Sequence, residues 1–341
     1  MVLRNGRSDR IFPGALSGWS DGSCLVSGAP MSLLVVGSVA LDSVETPFGK
    51  EEDVLGGSAT FFSTAASFFT PVRLVAVVGS DFPQKHVDFL TGRGVDTSGL
   101  VRQEGKTFRW KGRYTHQLNE AQTLDTQLNV FQHFAPDLPA NFRDARHVFL
   151  GNIHPELQGR VLDQVERPGL VGMDTMNFWI TGEPETLKKT LKRVDILFVN
   201  DGEARQLAGE HNIVKAAKAI RELGPRIVVI KRGEYGALLF DGESIFGLPA
   251  FPLTDVFDPT GAGDSFAGGF LGYLSRKGAQ QIDHHALRQA MVAGTVMASF
   301  AVERFSLERL RSLNKGEIND RCAAFKRLTH FEELGEAATV G

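Results

Sequence analysis

Asp258-Pro259-Thr260-Gly261-Ala262-Gly263-Asp264-Ser265-Phe266-Ala267-Gly268-Gly269-Phe270 is the stretch whose reading decides the rest of the chain. Upstream of it, Ser244 to Phe257 offers short extended pieces broken by Pro249 and Pro252. Downstream, Phe266, Phe270, Leu271 and Leu274 recur at helical spacing until Lys277-Gly278 ends the run. The glycines therefore sit at a loop-to-helix junction. There, unpaired backbone N–H groups and the positive end of the helix dipole favour an anion. Small residues let a phosphate come close to the backbone. Asp264 does not fit such a site as an anion ligand, because a carboxylate repels one. It fits as a base that takes a proton. A phosphate-binding loop beside a base is what phosphoryl transfer to an alcohol needs. Taken alone, the residues equally allow Asp264 to be a helix cap and the glycines a tight turn.

Composition narrows the classes. The 341 residues are 42% hydrophobic and 23% charged, enough for a sizeable core in one large domain or two smaller ones. A net charge of -3 gives no electrostatic case for nucleic acid or an anionic membrane surface. Cys24 and Cys322 form no CxxC pair, so neither a disulfide framework nor a cysteine metal site is expected. The nine histidines include no HExxH, and no apolar run reaches the length of a membrane span. A cytoplasmic, soluble protein is expected. Residues 1–30 are rich in Gly, Ser, Arg and Pro without a sustained period, and they lack the apolar core of a signal peptide. They read as a disordered tail, or Met31 as the start of the chain.

Leu33 to Ala40 is a continuous apolar run, suited to a central strand covered on both faces, with Asp42 just past its end. Gly56-Gly57 leads into a helix over Thr60–Phe69, and Val72–Val78 is a second buried strand. Phe108, Trp110, Gly112 and Tyr114 alternate with polar residues, as do Leu124, Thr126, Leu128 and Val130. This predicts two half-buried strands joined through Leu118-Asn119-Glu120, in a small sheet standing off the main fold. Strands at His147–Leu150, Gly169–Met173, Ile196–Val199 and Ile227–Ile230 alternate with helices near Pro155–Val165, Glu183–Lys192, Asp201–Gly209 and Ile213–Leu223. That alternation argues for a parallel sheet with helices on both faces. Asn152, Asp174, Asn177 and Asn200 collect at strand C-terminal ends, where a substrate would be read, although each alone can be a helix cap. Ala286–Ala301 is a further helix, and one amphipathic helix is expected after it. Gly105-Lys106-Thr107 is not a Walker A loop, because Gly99 lies one residue too far upstream and no helical pattern follows.

The DPTGAGDSFAGGF run resembles the C-terminal signature of the ribokinase-like (PfkB) carbohydrate kinase family. Other landmarks of that family occur in the same order: Leu33 to Asp42, Gly56-Gly57, the Asn200-Asp201-Gly202-Glu203 motif and the Lys231-to-Gly236 stretch. The resemblance spans roughly residues 31–310. It implies an α/β fold, a three-layer αβα sandwich with a mostly parallel central sheet and a small β-sheet lid. The kinase domain would run over 31–335 with lid segments at about 43–55 and 105–133, and 336–341 would be frayed. It implies transfer of the γ-phosphate of ATP to a hydroxyl of a sugar or nucleoside. Asp264 would be the general base, and the backbone of Gly261, Ala262 and Gly263 would be the anion hole. Thr260, Lys231, Gly233 and Gly236 would lie at the nucleotide, and Asn200 and Glu203 would hold Mg²⁺ through water. Asp42, Gly56, Gly57, Asn152 and Asn177 would read the acceptor. In relatives a K⁺ site involves the acid equivalent to Asp258, and the lid often doubles as a homodimer surface. Where the family commonly has Asn after the glycine pair, this chain has Phe61 and Phe62. With Phe178 and Trp179, these offer either a stacking surface for a nucleobase or ordinary core. The rival functions are a catalytically silent binder of the same fold and a nucleotide-dependent oxidoreductase. The intact base and glycines count against the first. The missing third glycine and the late position of the loop count against the second.

Overall fold

The computed structural model describes residues 32–277 and 282–332. The expected tail at 1–30, the domain start at Met31, the helix stop at Gly278 and the frayed end at 336–341 lie outside the described residues. The described chain begins with β1 (Leu33–Val36), β2 (Ala40–Thr46), β3 (Gly49–Gly56), α1 (Ser58–Ala66), β4 (Val72–Gly79), α2 (Gln84–Gly92) and β5 (Val95–Gln103). It continues through β6 (Arg109–Tyr114), β7 (Ala121–Gln127), β8 (His147–Leu150), α3 (Pro155–Gln164), β9 (Leu170–Asp174), α4 (Asn177–Gly182) and α5 (Pro184–Leu191). Then come β10 (Ile196–Asn200), α6 (Asp201–Ala208), α7 (Ile213–Glu222), β11 (Ile227–Lys231), β12 (Ala237–Asp241) and β13 (Ser244–Leu248). The described chain ends in α8 (Ala262–Lys277), α9 (His284–Ala301), α10 (Glu308–Ser312) and α11 (Lys315–Thr329).

Nine strands form one sheet in the order β13-β12-β11-β10-β9-β8-β1-β4-β5. All its pairings are parallel except β11–β12 and β12–β13. Alternation along β1 sends Leu33 and Val35 into one core and Leu34 and Val36 into the other. The first core is closed by α1, α8 and α9 through Phe62, Phe270 and Met297. The second is closed by α3, α5 and α7 through Val161, Leu187 and Ile220. Two apolar faces, each covered by helices, make the three layers expected from the alternating pattern. Among the described residues no helix is long and apolar enough to cross a membrane.

The run from Leu33 to Ala40 is not one strand. β1 stops at Val36, and β2 opens a second sheet of four strands in the order β3-β2-β6-β7. The break is held by exchange with the start of α1. Ser38 N donates to Ser58 Oγ at 3.3 Å, Ser58 N donates to Ser38 Oγ at 3.0 Å, and Ala59 N donates to Ser38 O at 3.0 Å. These bonds take the backbone out of the main ladder after Gly37, whose N–H still donates to Val75 O at 3.4 Å, and turn it towards the small sheet. Asp42 therefore lies within a strand of that sheet rather than beyond a strand of the main one. Asp81 ties the other root of the small sheet, accepting from Thr107 N and Thr107 Oγ1 at 2.7 Å and from Arg109 Nη1 at 2.8 Å. Here the Gly105-Lys106-Thr107 stretch finds its structural use.

Two further expectations need correction. The second strand of the small sheet was to be half-buried over Leu124–Val130. Instead β7 ends at Gln127 as an exposed edge, and only Val130 of that set turns inward. The segment after α9 holds two helices, because Leu313 is extended and Asn314 starts α11 with its own capping box to Glu317.

Candidate active site

The decisive loop ends as predicted at the first turn of α8, and its backbone needs glycine. Gly261 has φ +72, and a Cβ there would collide with the ring of Phe61 on α1. Ala262 N donates to Pro259 O at 3.2 Å, whereas the N–H groups of Gly261 and Gly263 find no acceptor among the described residues. Lys231 comes up against Gly263, its Nζ lying 2.9 Å from where a Cβ would stand. A cation thus rests on the turn that carries two open backbone donors.

Four strand ends or helix starts deliver charge to this place: Asp174 at the end of β9, Glu203 in the first turn of α6, Lys231 at the end of β11 and Asp264 in the first turn of α8. Lys231 Nζ donates to Asp174 Oδ2 at 2.8 Å, and Asp174 Oδ1 accepts from Thr175 N at 2.7 Å. Burial pulls the Lys231 pKa down, but Asp174, Glu203 and Asp264 outweigh it and keep the ammonium charged. Burial pushes Asp264 up to about 7, reinforced by the negative charge of Asp174 and opposed by Lys231. Glu203 is pushed to about 7 in the same way, by burial first and Asp174 second. Three carboxylates therefore share one ammonium. Asn200 and Glu203 form a reciprocal capping box at α6: Asn200 Oδ1 accepts from Glu203 N and Glu203 Oε2 accepts from Asn200 N, both at 2.7 Å. The cap reading of this pair is thus true, and it still leaves Glu203 facing the charge cluster.

On the other side, Asp42 is buried and its Oδ2 accepts from Gly57 N at 3.3 Å. A Cβ on Gly56 would overlap that carboxylate, so Gly56 makes the space Asp42 occupies. Burial raises Asp42 to about 7, and Asp258 and Asp264 raise it further. Asp42, Gly56 and Gly57 are thus brought together, within electrostatic reach of Asp264. Asn152 is committed to its neighbours, donating to Met176 Sδ at 3.0 Å and accepting from Trp179 Nε1 at 2.9 Å. Asn177 is exposed and accepts from Phe178 N, with no contact tying it to Asp42 or the loop. Phe61 and Phe62 are core, Phe62 stacking on Phe149 at 3.9 Å. Phe178 is 63% exposed and sets an edge against Trp179 at 4.8 Å.

Asp258 is buried, with Oδ1 accepting from Thr260 N and Oδ2 from Ser306 N, both at 2.9 Å. Burial raises its pKa, and it has no ion-pair partner among the described residues. The small sheet reaches over this region. Thr46 Oγ1 donates to Phe257 O at 2.9 Å, Phe48 packs on Phe257 at 5.4 Å, and Thr260 Oγ1 donates to Tyr114 Oη at 3.3 Å. At the far end, the turn between β6 and β7 sets Asn119 directly against Gly233. Gly236 closes the turn after β11 that holds Gly233, its carbonyl accepting from Arg232 N at 2.7 Å. The close approach that Gly233 permits is therefore made by the small sheet itself.

Sequence reading placed the loop, Asp42 and Glu203 but did not single out Asp174 as a site residue. Its position at a strand end beside other polar strand ends was the available signal. Tyr114 was read only as part of a half-buried strand.

Known proteins resemble this chain in sequence and in fold. A profile described as pfkB family carbohydrate kinase matches residues 35–310. The chain is 32% identical over 258 residues to a cytidine kinase of Thermococcus kodakarensis, covering 72% of this chain and 89% of that protein. Its fold is similar to that of the Methanocaldococcus jannaschii nucleoside kinase (TM-score 0.69, 19% identity, 86% of this chain and 98% of that one). It is also similar to the aminoimidazole riboside kinase of Salmonella enterica, solved with aminoimidazole riboside and an ATP analog (TM-score 0.66, 23% identity, 85% and 99% covered).

Proposed function

The chain belongs to the pfkB family of carbohydrate kinases and is a sugar or nucleoside kinase, and from that premise we propose that it phosphorylates a nucleoside with ATP, using Asp264 as the general base. The observation that carries the reading is the meeting of Asp264, Lys231 and the Gly261–Gly263 turn at the start of α8, with Asp42 within electrostatic reach. The choice of a nucleoside rests on the relative of 32% identity, which is named a cytidine kinase.

In this reading Asp42 accepts hydrogen bonds from acceptor hydroxyls beside the Gly56-Gly57 backbone. The reacting hydroxyl loses its proton to the Asp264 carboxylate as its oxygen forms the bond to the γ-phosphorus. The bond from that phosphorus to the β,γ-bridging oxygen breaks, and ADP departs. A base held near pH 7 by burial is matched to the working pH. The open N–H groups of Gly261 and Gly263 and the Lys231 ammonium stabilise charge on the transferring oxygens. The small sheet excludes water through its contacts at Phe257, Thr260 and Gly233.

Among the described residues no three acidic, histidine or cysteine side chains converge to ligate a metal ion directly, so a divalent ion would be held here through water. Three carboxylates face one ammonium, and Glu203 commits only Oε2 to its cap. Mg²⁺ prefers oxygen ligands with retained waters, and Asn200 and Glu203 would hold it through water, where it would neutralise phosphate charge. A K⁺ belongs to the same proposal at Asp258, a buried carboxylate without an ion-pair partner among the described residues. The test is ADP release with ATP and Mg²⁺ across a panel of nucleosides and free sugars, with Asp264→Asn as control. Nucleoside-dependent release that vanishes in the control supports the reading. Release with free sugars alone moves the acceptor to that class.

A further inference from the structure

Within that reading, one aromatic side chain has no part in the mechanism above and no evident need to lie where it does. Trp110 stands on β6, directly opposite Asp42 of β2 in a parallel register that also pairs Val44 with Gly112. Side chains at directly opposed positions leave a sheet on the same face. That face points into the site, because Asp42 takes the Gly57 N–H and Tyr114, four residues on, reaches Thr260. Trp110 must therefore emerge between them, over the cleft.

The ring also lies flat. A Cβ on Gly112 would overlap the benzo edge of the indole, so the ring covers the next position on its own face. Gly112 is buried under it although Trp110 itself remains half-buried. Nε1 donates to Thr123 Oγ1 of β7 at 3.2 Å, which pins the ring across the two strands. Among the described residues no aromatic ring or cation stacks on it. Core packing of a small sheet does not call for a flat, pinned indole that no aromatic ring or cation covers. Such a ring suits a planar group lying parallel to it, at a side of the cleft where Asp42 would hold hydroxyls.

We propose that Trp110 is the specificity-determining platform of the acceptor site: the base of a nucleoside stacks on its exposed face while Asp42 holds the sugar hydroxyls. A free sugar lacks the planar group and gains nothing from the ring. This rests on the nucleoside-kinase reading, so the test must separate the two.

The experiment compares wild type, Trp110→Leu and Trp110→Phe with a pyrimidine nucleoside, a purine nucleoside and ribose as acceptors. Stacking on an aromatic side chain predicts that Trp110→Leu raises the nucleoside KM by about 10- to 100-fold, with the KM for ATP unmoved. Trp110→Phe restores most of the loss, since it returns a ring. A second readout needs no turnover: nucleoside addition quenches tryptophan fluorescence in wild type and not in Trp110→Leu. An unchanged nucleoside KM in Trp110→Leu overturns the platform while leaving the kinase reading intact. So does a loss shared equally by nucleosides, ribose and ATP, which would mean general damage to the sheet. A wild-type enzyme active on ribose and on no nucleoside overturns both.

Discussion

Lys231 and Asp174 are 57 residues apart in sequence and 2.8 Å apart in space, and the pair joins the ends of β11 and β9 beneath the turn at Gly263. The ammonium faces Glu203 and Asp264 as well, so the two members of the pair are not equivalent to lose. Lys231→Met leaves three carboxylates without their cation and should cost about 3–5 kcal/mol, as removal of one member of a buried pair does. Asp174→Asn leaves the ammonium two other carboxylates and should cost about 1–3 kcal/mol. Urea unfolding at pH 8 measures both. Equal costs would mean that Asp174 alone balances Lys231.

Asp264→Asn should keep ATP binding and lower turnover by about two to four orders of magnitude. In wild type the base must be ionised to work. Since burial and Asp174 hold it up to about 7, kcat/KM for ATP should rise with pH through that region and level off above it. Glu203 titrates in the same range, so the limb belongs to the pair of carboxylates. A profile flat from pH 5 to 9 would remove Asp264 as the base.

Asp42→Asn should stabilise the fold above neutral pH while abolishing acceptor use. Its carboxyl is held at about 7 in the folded chain, against about 4 unfolded. A raised pKa contributes stability that is whole below the unfolded value and is lost as pH rises through the folded value. The asparagine, which cannot ionise, should therefore gain on the order of 1–3 kcal/mol over wild type at pH 8. The gain should shrink towards zero near pH 4. Thermal unfolding at the two pH values decides it, and a variant less stable at pH 8 would contradict the burial argument.

Tyr114→Phe removes the hydroxyl that accepts from Thr260 and leaves the ring. Loosening the small sheet over the loop should raise acceptor-independent ATP hydrolysis by about 2- to 10-fold, the equivalent of one neutral hydrogen bond. Phosphate release without acceptor is the assay. An unaltered background rate would mean that this bond does not help exclude water.

Much of the site was legible because its chemistry is contiguous. The loop from Asp258 to Asp264, with a helix after it, needs no tertiary knowledge to be read as an anion site beside a base. The parallel sheet with helices on both faces followed from the alternation of strands and helices, whereas the strand order did not. What was hidden depends on partners distant in sequence. The split between β1 and β2 is set by Ser58, 20 residues from Ser38, and the apolar run itself does not announce it. The pairing of Asp174 with Lys231 requires knowing that β9 and β11 flank β10. Phe61 reads alike as a stacking surface or as core until Gly261 is seen against its ring. Asn200 and Glu203 were open to two readings, and the capping box shows that the structural one holds whatever else the pair does.

The exchange between Ser38 and Ser58 has a mechanical consequence. It clamps both roots of the inner strands, where β2 leaves the main sheet and β3 returns to it. The small sheet is then a beam clamped at β2 and β3, tied again at the root of β6 by Asp81, and touching the main fold farther out through Thr46, Tyr114 and Asn119. Deflection of such a beam grows with distance from its ties, so the width of the opening is set chiefly by the edge strand β7. Backbone amides should accordingly exchange with solvent deuterium slowly in β2 and progressively faster out to β7, and nucleotide should slow the outermost ones first.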